Sequence, residues 1–139
     1  MTATRFKAPT KQHEEQSPAQ TVRDYLDAFY SGDYETTRDL LADDLAFRGP
    51  FVEVDNADAF LASAQPLRAI VRGHRLIRQW QDDDQVSTLY EMKIETPARS
   101  GSVLVSEWNT IRDGRVSSAS LVFDTAVFRK LLPQAGNLS

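Results

Sequence analysis

Glu107 is the residue of this chain whose setting invites chemistry. It lies in Ser102–Asp124, SVLVSEWNTIRDGRVSSASLVFD, where apolar and β-branched residues flank Asp113-Gly114. That pair suits the tight type I′ turn of a hairpin, because both central residues need positive φ, which Gly adopts freely and Asp tolerates. Strand side chains alternate between faces. Val103, Val105, Glu107, Asn109 and Ile111 therefore share one face, and Leu104, Ser106, Trp108 and Thr110 the other. Neither face is purely polar, which places the hairpin deep in a sheet with both sides covered. A carboxyl among apolar neighbours is a candidate for acid–base work, although spacing alone names no reaction.

Other titratable side chains stand further up the chain. His74 lies in Leu67–Trp80, which reads as the first long strand, and can titrate near neutrality. Glu53 and Asp55 follow Pro50 closely. With no cysteine there is no thiol nucleophile, disulfide framework or Cys-ligated metal. The two histidines, His13 and His74, are too far apart to suggest a ligand cluster, so neither metal nor cofactor is expected. His13 sits in a polar stretch and reads as a solvated bystander. The acidic run Gln81–Gln85, QDDDQ, lacks the glycine and the number of ligands that a calcium loop needs, and reads as a solvated turn.

The elements that must position these groups are legible in the capping signals. Ser17-Pro18-Ala19-Gln20 carries a cap, a proline where its missing N–H costs nothing, and the partner of a capping box. Val22, Tyr25, Leu26, Phe29 and Tyr30 follow at helical spacing, and Ser31-Gly32 ends the helix. Asp33 caps a second helix expected to run to about Ala42, anchored by Leu40 and Leu41. Leu45–Arg48 reads as a short strand stopped by Gly49-Pro50. Asp55-Asn56-Ala57-Asp58 starts a third helix, with Phe60, Leu61 and Ala64 toward the core, closed by Pro66. Strands are then expected over Leu67–Trp80 and Val86–Glu95, followed by the Thr96–Gly101 turn and the hairpin. Thr125 is placed to cap a last helix, Ala126–Leu132, with Asp124 in a cap or turn role. Helices segregated from a run of antiparallel strands predict an α+β domain whose helices cover one face of a curved sheet.

The bulk numbers agree with a globular domain. The chain has 139 residues, 41% hydrophobic and 26% charged, with a net charge of −4; a chain of this length buries roughly two-thirds of its unfolded surface. We read residues 1–16 as a flexible leader, 17–132 as one domain and 133–139 as a polar tail. Basic residues are scattered, which argues against nucleic-acid binding. No run reaches the roughly 18–20 apolar residues of a membrane span. The leader has no apolar core, so a secretory signal is not expected and the cytoplasm is the expected location.

Tyr25–Pro50, YLDAFYSGDYETTRDLLADDLAFRGP, resembles the superfamily of nuclear transport factor 2, ketosteroid isomerase and the SnoaL-like polyketide cyclases. The shared pattern is a first helix ending in an aromatic-rich turn and Gly-Asp, then a helix ending in Ala-Asp-Asp and a short strand. The closing hairpin and Leu121-Val122-Phe123-Asp124 extend the resemblance over about residues 18–128. It implies a cone-shaped, curved antiparallel sheet wrapped around N-terminal helices, an internal apolar pocket, and a homodimer through the outer sheet face. It does not imply one chemistry, because the fold hosts isomerases, hydrolases, dehydratases, cyclases and non-enzymes.

Carried over by residue, the tyrosine that hydrogen-bonds the substrate oxygen in ketosteroid isomerase falls on Tyr25, and its protonated aspartic acid falls close to Glu107. That enzyme is the standard instance of a carboxylic acid kept neutral by an apolar site so that it can donate a hydrogen bond. Its general base, an aspartate before the proline, is replaced here by Gly49. His74 or Asp55 are the alternative bases, with Glu53 beside them. Of the Asp-Arg-Asp set of the family's epoxide hydrolases, only Asp124 and Arg78 offer members. Phe29, Phe47, Trp80, Tyr90, Met92, Val105, Asn109 and Phe123 are the expected pocket lining. Trp108, opposite in phase to Glu107, would point outward and mark the dimer face. Arg68, Arg72, Arg75 and Arg78 read as a solvated rim, with Arg75 or Arg78 as alternative partners for Glu107. The function expected is binding of a small apolar ligand, with acid–base catalysis on an apolar carbonyl or polyketide-like compound. The competing readings are a non-catalytic ligand-binding protein and a dimeric protein–protein adaptor.

Overall fold

The computed structural model describes residues 16–132; the expected tail, all but Gln16 of the expected leader, and His13 lie outside them. Helix α1 is Pro18–Tyr30, with the Ser17 side chain accepting from the Gln20 N–H, while the Gln20 side chain turns to Arg23 and Asp24 and leaves the expected capping box half formed. Its inward stripe, Val22, Tyr25, Leu26 and Phe29, is buried. Gly32 takes φ +84° at the turn, a conformation glycine adopts without strain. Helix α2, Tyr34–Asp39, is capped by Asp33 and ends earlier than expected. Leu41 already belongs to strand β1, Leu41–Arg48, whose backbone runs alongside the strand that closes the sheet. Val116 N–H donates to Leu40 C=O at 2.8 Å, so non-local pairing overrides the local helix signal.

Strand β2 is the short Glu53–Val54, and helix α3, Ala57–Ala64, is capped by Asn56. A 3-10 turn, Gln65–Ala69, occupies the start of what was expected to be a strand. Four long strands follow: β3 Val71–Asp82, β4 Gln85–Glu95, β5 Ser100–Arg112 and β6 Arg115–Phe123. The β5–β6 hairpin turns at Asp113 and Gly114, with φ +54° and +76°, as the sequence predicts. Helix α4, Thr125–Leu131, is capped by Asp124 rather than Thr125; the Asp124 carboxylate accepts from the Ala126 and Val127 N–H groups.

The six strands form one sheet in the order β2-β1-β6-β5-β4-β3. It is mixed rather than wholly antiparallel, because β1 runs parallel to β6. Helix α1 lies against the inner face: Gln79 and Gln81 of β3 exchange hydrogen bonds with the Ala19 backbone. The core joins Val22, Leu26, Leu41, Leu45, Val86, Ile94, Val103 and Val116 across both layers. The outer face of β5 is uncovered, against the expectation of a hairpin buried on both sides: Leu104 and Trp108 are 53% and 59% exposed. Among the described residues no helix is long and apolar enough to cross a membrane.

Candidate functional site

Strand alternation carries Glu107 inward, where its register partners are Thr88 on β4 and Leu121 on β6. It is 1% exposed. Three donors converge on its carboxyl: Tyr90 Oη on Oε1 at 2.7 Å, and Tyr25 Oη and Asn109 Nδ2 on Oε2 at 3.1 Å each. Tyr90 is in turn 2.9 Å, hydroxyl to hydroxyl, from Tyr30. Arg75 is taken up by Glu91 on the outer face, so Glu107 has no arginine partner.

Burial pushes the Glu107 carboxyl above the usual carboxylate range, opposed by the hydrogen bonds from Tyr90, Asn109 and Tyr25. Burial, and then the nearby Glu107 charge, push the Tyr25 and Tyr90 hydroxyls upward as well. A neutral carboxyl held among phenols is a proton donor of adjustable strength rather than a fixed anion.

Glu107 opens into a cavity of about 470 Å³ lined by Tyr25, Phe29, Phe47, Met92, Val105 and Phe123 among others. These seven residues stand where sequence reasoning put them. Five other expected site residues do not. Tyr90 and Asn109 lie behind the carboxyl and hold it, without lining the cavity. Trp80 is on the outer face and 53% exposed, because β3 slips register between Leu76 and Arg78, and the extra residue Ile77 inverts the facing of everything after it. Asp55 is exposed at the surface before α3.

His74 is also outside the cavity lining. Its ring stacks on Tyr30 at 5.0 Å, meets Tyr90 edge-on at 5.8 Å, and brings Nε2 to 3.6 Å from Asp27 Oδ1. Burial pulls its pKa below the ordinary histidine value, against the raising effect of Asp27. Glu53 pairs with Arg48 at the surface. Asp124 is a helix cap and Arg78 sits over the Trp80 ring, so the epoxide-hydrolase set is not assembled. The four β3-side arginines are exposed, as expected of a rim.

Gly49 lines the cavity, and a Cβ there would meet Leu121 Cδ1 at 2.9 Å and the Phe47 ring at 3.3 Å. Apolar side chains thus crowd the position at which the resemblance to ketosteroid isomerase would set a general base. Residues missed from the sequence complete the lining: Tyr30, Phe51, Phe60, Leu121 and Phe128. Tyr30 was visible as the last member of the α1 stripe, but only its distance to Tyr90 marks it as more than packing.

The SnoaL-like domain model matches residues 22–119 of the sequence. No protein with a curated description matches it. Several solved structures share the fold. IdmH of Streptomyces antibioticus, a candidate polyketide cyclase, is 22% identical, with 87% of this chain and 99% of that chain covered and a TM-score of 0.72. An LEH-like epoxide hydrolase of M. tuberculosis is 20% identical over 87% and 93% of the two chains, with a TM-score of 0.72. An NTF2-like protein of Burkholderia pseudomallei is 20% identical over 84% and 98%, with a TM-score of 0.74. At these identities the likeness is one of fold.

Proposed function

The chain belongs to the SnoaL-like domain family, within the NTF2-like superfamily, and from that premise we propose that it binds a small apolar carbonyl or polyketide-like compound and acts on it by acid–base chemistry. One observation carries this reading: a carboxyl buried at the wall of an apolar cavity, with Tyr25 beside it, and no cation in the lining among the described residues. A ligand oxygen reaching Tyr25 would accept from its hydroxyl, with Glu107 behind that hydroxyl, and charge developing on the oxygen would be stabilised by this preorganised pair. Among the described residues no Arg, Lys or His lines the cavity, which disfavours a carboxylated or phosphorylated ligand.

The second reading is a ligand-binding protein without turnover. It is favoured by Gly49 in the base position and by Glu107 being, among the described residues, the one acid in the cavity lining. A homodimer through the outer sheet face belongs to the same proposal. Trp80 and Trp108 flank Ser87 from neighbouring strands, and Leu104 and Val122 extend the exposed apolar surface. A cytoplasmic location is proposed with it.

The experiment is a binding titration of a fluorescent naphthol, an enolate mimic, against wild type and Glu107→Gln across pH. Binding that depends on pH and is altered by the substitution supports the acid at the cavity wall. Binding indifferent to both would overturn it.

A further inference from the structure

The cavity lining poses a problem for any acid–base reaction. Glu107 supplies an acid, Gly49 supplies nothing, and neither His74 nor Asp55 reaches the cavity. We propose that Tyr30 is the second proton terminal of this site, wired to Glu107 through Tyr90, so that a single carboxyl serves both ends of a proton transfer. This rests on the reading of Glu107 as the site's acid.

Three contacts link the groups in a row: Tyr30 to Tyr90 at 2.9 Å, Tyr90 to Glu107 Oε1 at 2.7 Å, and Tyr25 to Glu107 Oε2 at 3.1 Å. With Glu107 ionised, three hydroxyl protons fill these three links, and all of them point toward the carboxylate. With Glu107 neutral there are four protons for three links. One hydroxyl must then turn its proton out of the row, and it can only be an end member, Tyr25 or Tyr30. Both ends line the cavity.

Which end turns outward depends on which carboxyl oxygen is protonated. A proton on Oε2 donates to Tyr25, whose own proton faces the cavity. A proton on Oε1 donates to Tyr90, Tyr90 donates to Tyr30, and Tyr30 faces the cavity. Converting the first state to the second moves one proton at every link. Tyr25 O–H breaks and its proton goes to the substrate oxygen, while Glu107 Oε2–H breaks to restore the Tyr25 hydroxyl. Tyr90 protonates Oε1, Tyr30 protonates Tyr90, and the substrate's own proton, from a carbon beside the carbonyl, restores Tyr30. The electron pair left on the substrate forms the new C=C bond as the carbonyl pair becomes the O–H bond. The substrate ends as its tautomer, Glu107 ends neutral, and no other reactant is needed. A base at position 49 is then dispensable.

The titratable groups that face this row from the packed elements are few. His74 on β3 lies against Tyr30 and Tyr90, Asp27 on α1 is its partner, and Tyr34 on α2 stacks on Phe29. Met92 Sδ, 3.8 Å from Tyr30 Oη, is the other acceptor within reach of that hydroxyl.

The test is NMR of the full chain carrying ¹³C at tyrosine Cζ and glutamate Cδ, titrated with pH. In wild type the Glu107, Tyr25 and Tyr30 signals are expected to move with one common midpoint. In Tyr90→Phe the Tyr30 response should vanish while Tyr25 keeps following Glu107. His74→Phe, which keeps an aromatic ring against Tyr30, should leave the Tyr30 response in place. A Tyr30 signal that stays silent at the Glu107 midpoint overturns the wiring while sparing the acid. So does one that still responds in Tyr90→Phe or is lost in His74→Phe. A Glu107 that never shares a midpoint with Tyr25 overturns both readings. Should Tyr90→Phe fail to fold, Tyr30→Phe decides: removing the end of the row should shift the Glu107 midpoint, and an unmoved midpoint contradicts the proposal.

Discussion

Tyr90 donates to Glu107 at 2.7 Å, the shortest of the three hydrogen bonds that the buried carboxyl accepts. Burial and hydrogen bonding act on this group in opposite directions. Desolvation favours its neutral form, and three donors favour its ion; the net shift is upward.

Stability should record that shift. The folded-state pKa of Glu107 is raised above its unfolded value, so the folded protein holds this proton more tightly, and stability falls as pH rises from the unfolded value through the folded one. Glu107→Gln removes the titration. Chemical denaturation of both proteins across pH should show wild type losing stability relative to the variant as pH increases from about 4.5. A difference independent of pH would mean that the carboxyl is not shifted.

His74 should give the opposite slope. Its folded pKa is lowered, chiefly by burial, so its contribution is present above the unfolded value of about 6.5 and lost as pH falls through the folded one. In His74→Phe the loss of stability on acidification over that window should be reduced, as measured by the denaturation midpoint.

Restoring an acid at position 49 should be costly. In Gly49→Asp the new Cβ meets Leu121 and Phe47 inside van der Waals distance, and overpacking of this kind destabilises by about 1–3 kcal/mol. Adding Leu121→Ala should relieve much of the strain. Thermal unfolding of the single and double variants checks this, and an unperturbed single variant would show that the wall yields.

The reach of the sequence ended where non-local pairing began. Ser17, Asp33 and the Asp113-Gly114 turn act through neighbours three residues away or fewer, and each does what its residue type predicts. Strand periodicity also placed Glu107 inward and Trp108 outward. Leu41 looked helical because its strand partner, Val116, lies far along the chain. Trp80 shares the phase of His74 by simple counting, and only the slip at Ile77 separates their faces. Tyr30 could not be told from core packing, since its role depends on a hydroxyl contact across 60 residues.

The proposed dimer has its own test. Trp108 is the most exposed aromatic residue of the outer face at 59%, with its Nε1 donating to Gln85. Trp108→Glu would set a charge in the middle of that apolar surface. Sedimentation should show a dimer for wild type and a monomer for the variant, whereas a wild-type monomer would refute the interface.

The account's central claim is that Glu107 is an acid poised to give up a proton, and the carboxyl titration of Glu107 in the ligand-free protein tests it most directly. The ¹³Cδ signal, assigned by its loss in Glu107→Gln, should titrate with a midpoint clearly above the ordinary value of 4.5. A midpoint at or below that value would make Glu107 an anion fixed by its three donors, and the site would then be a binding feature without a proton to deliver.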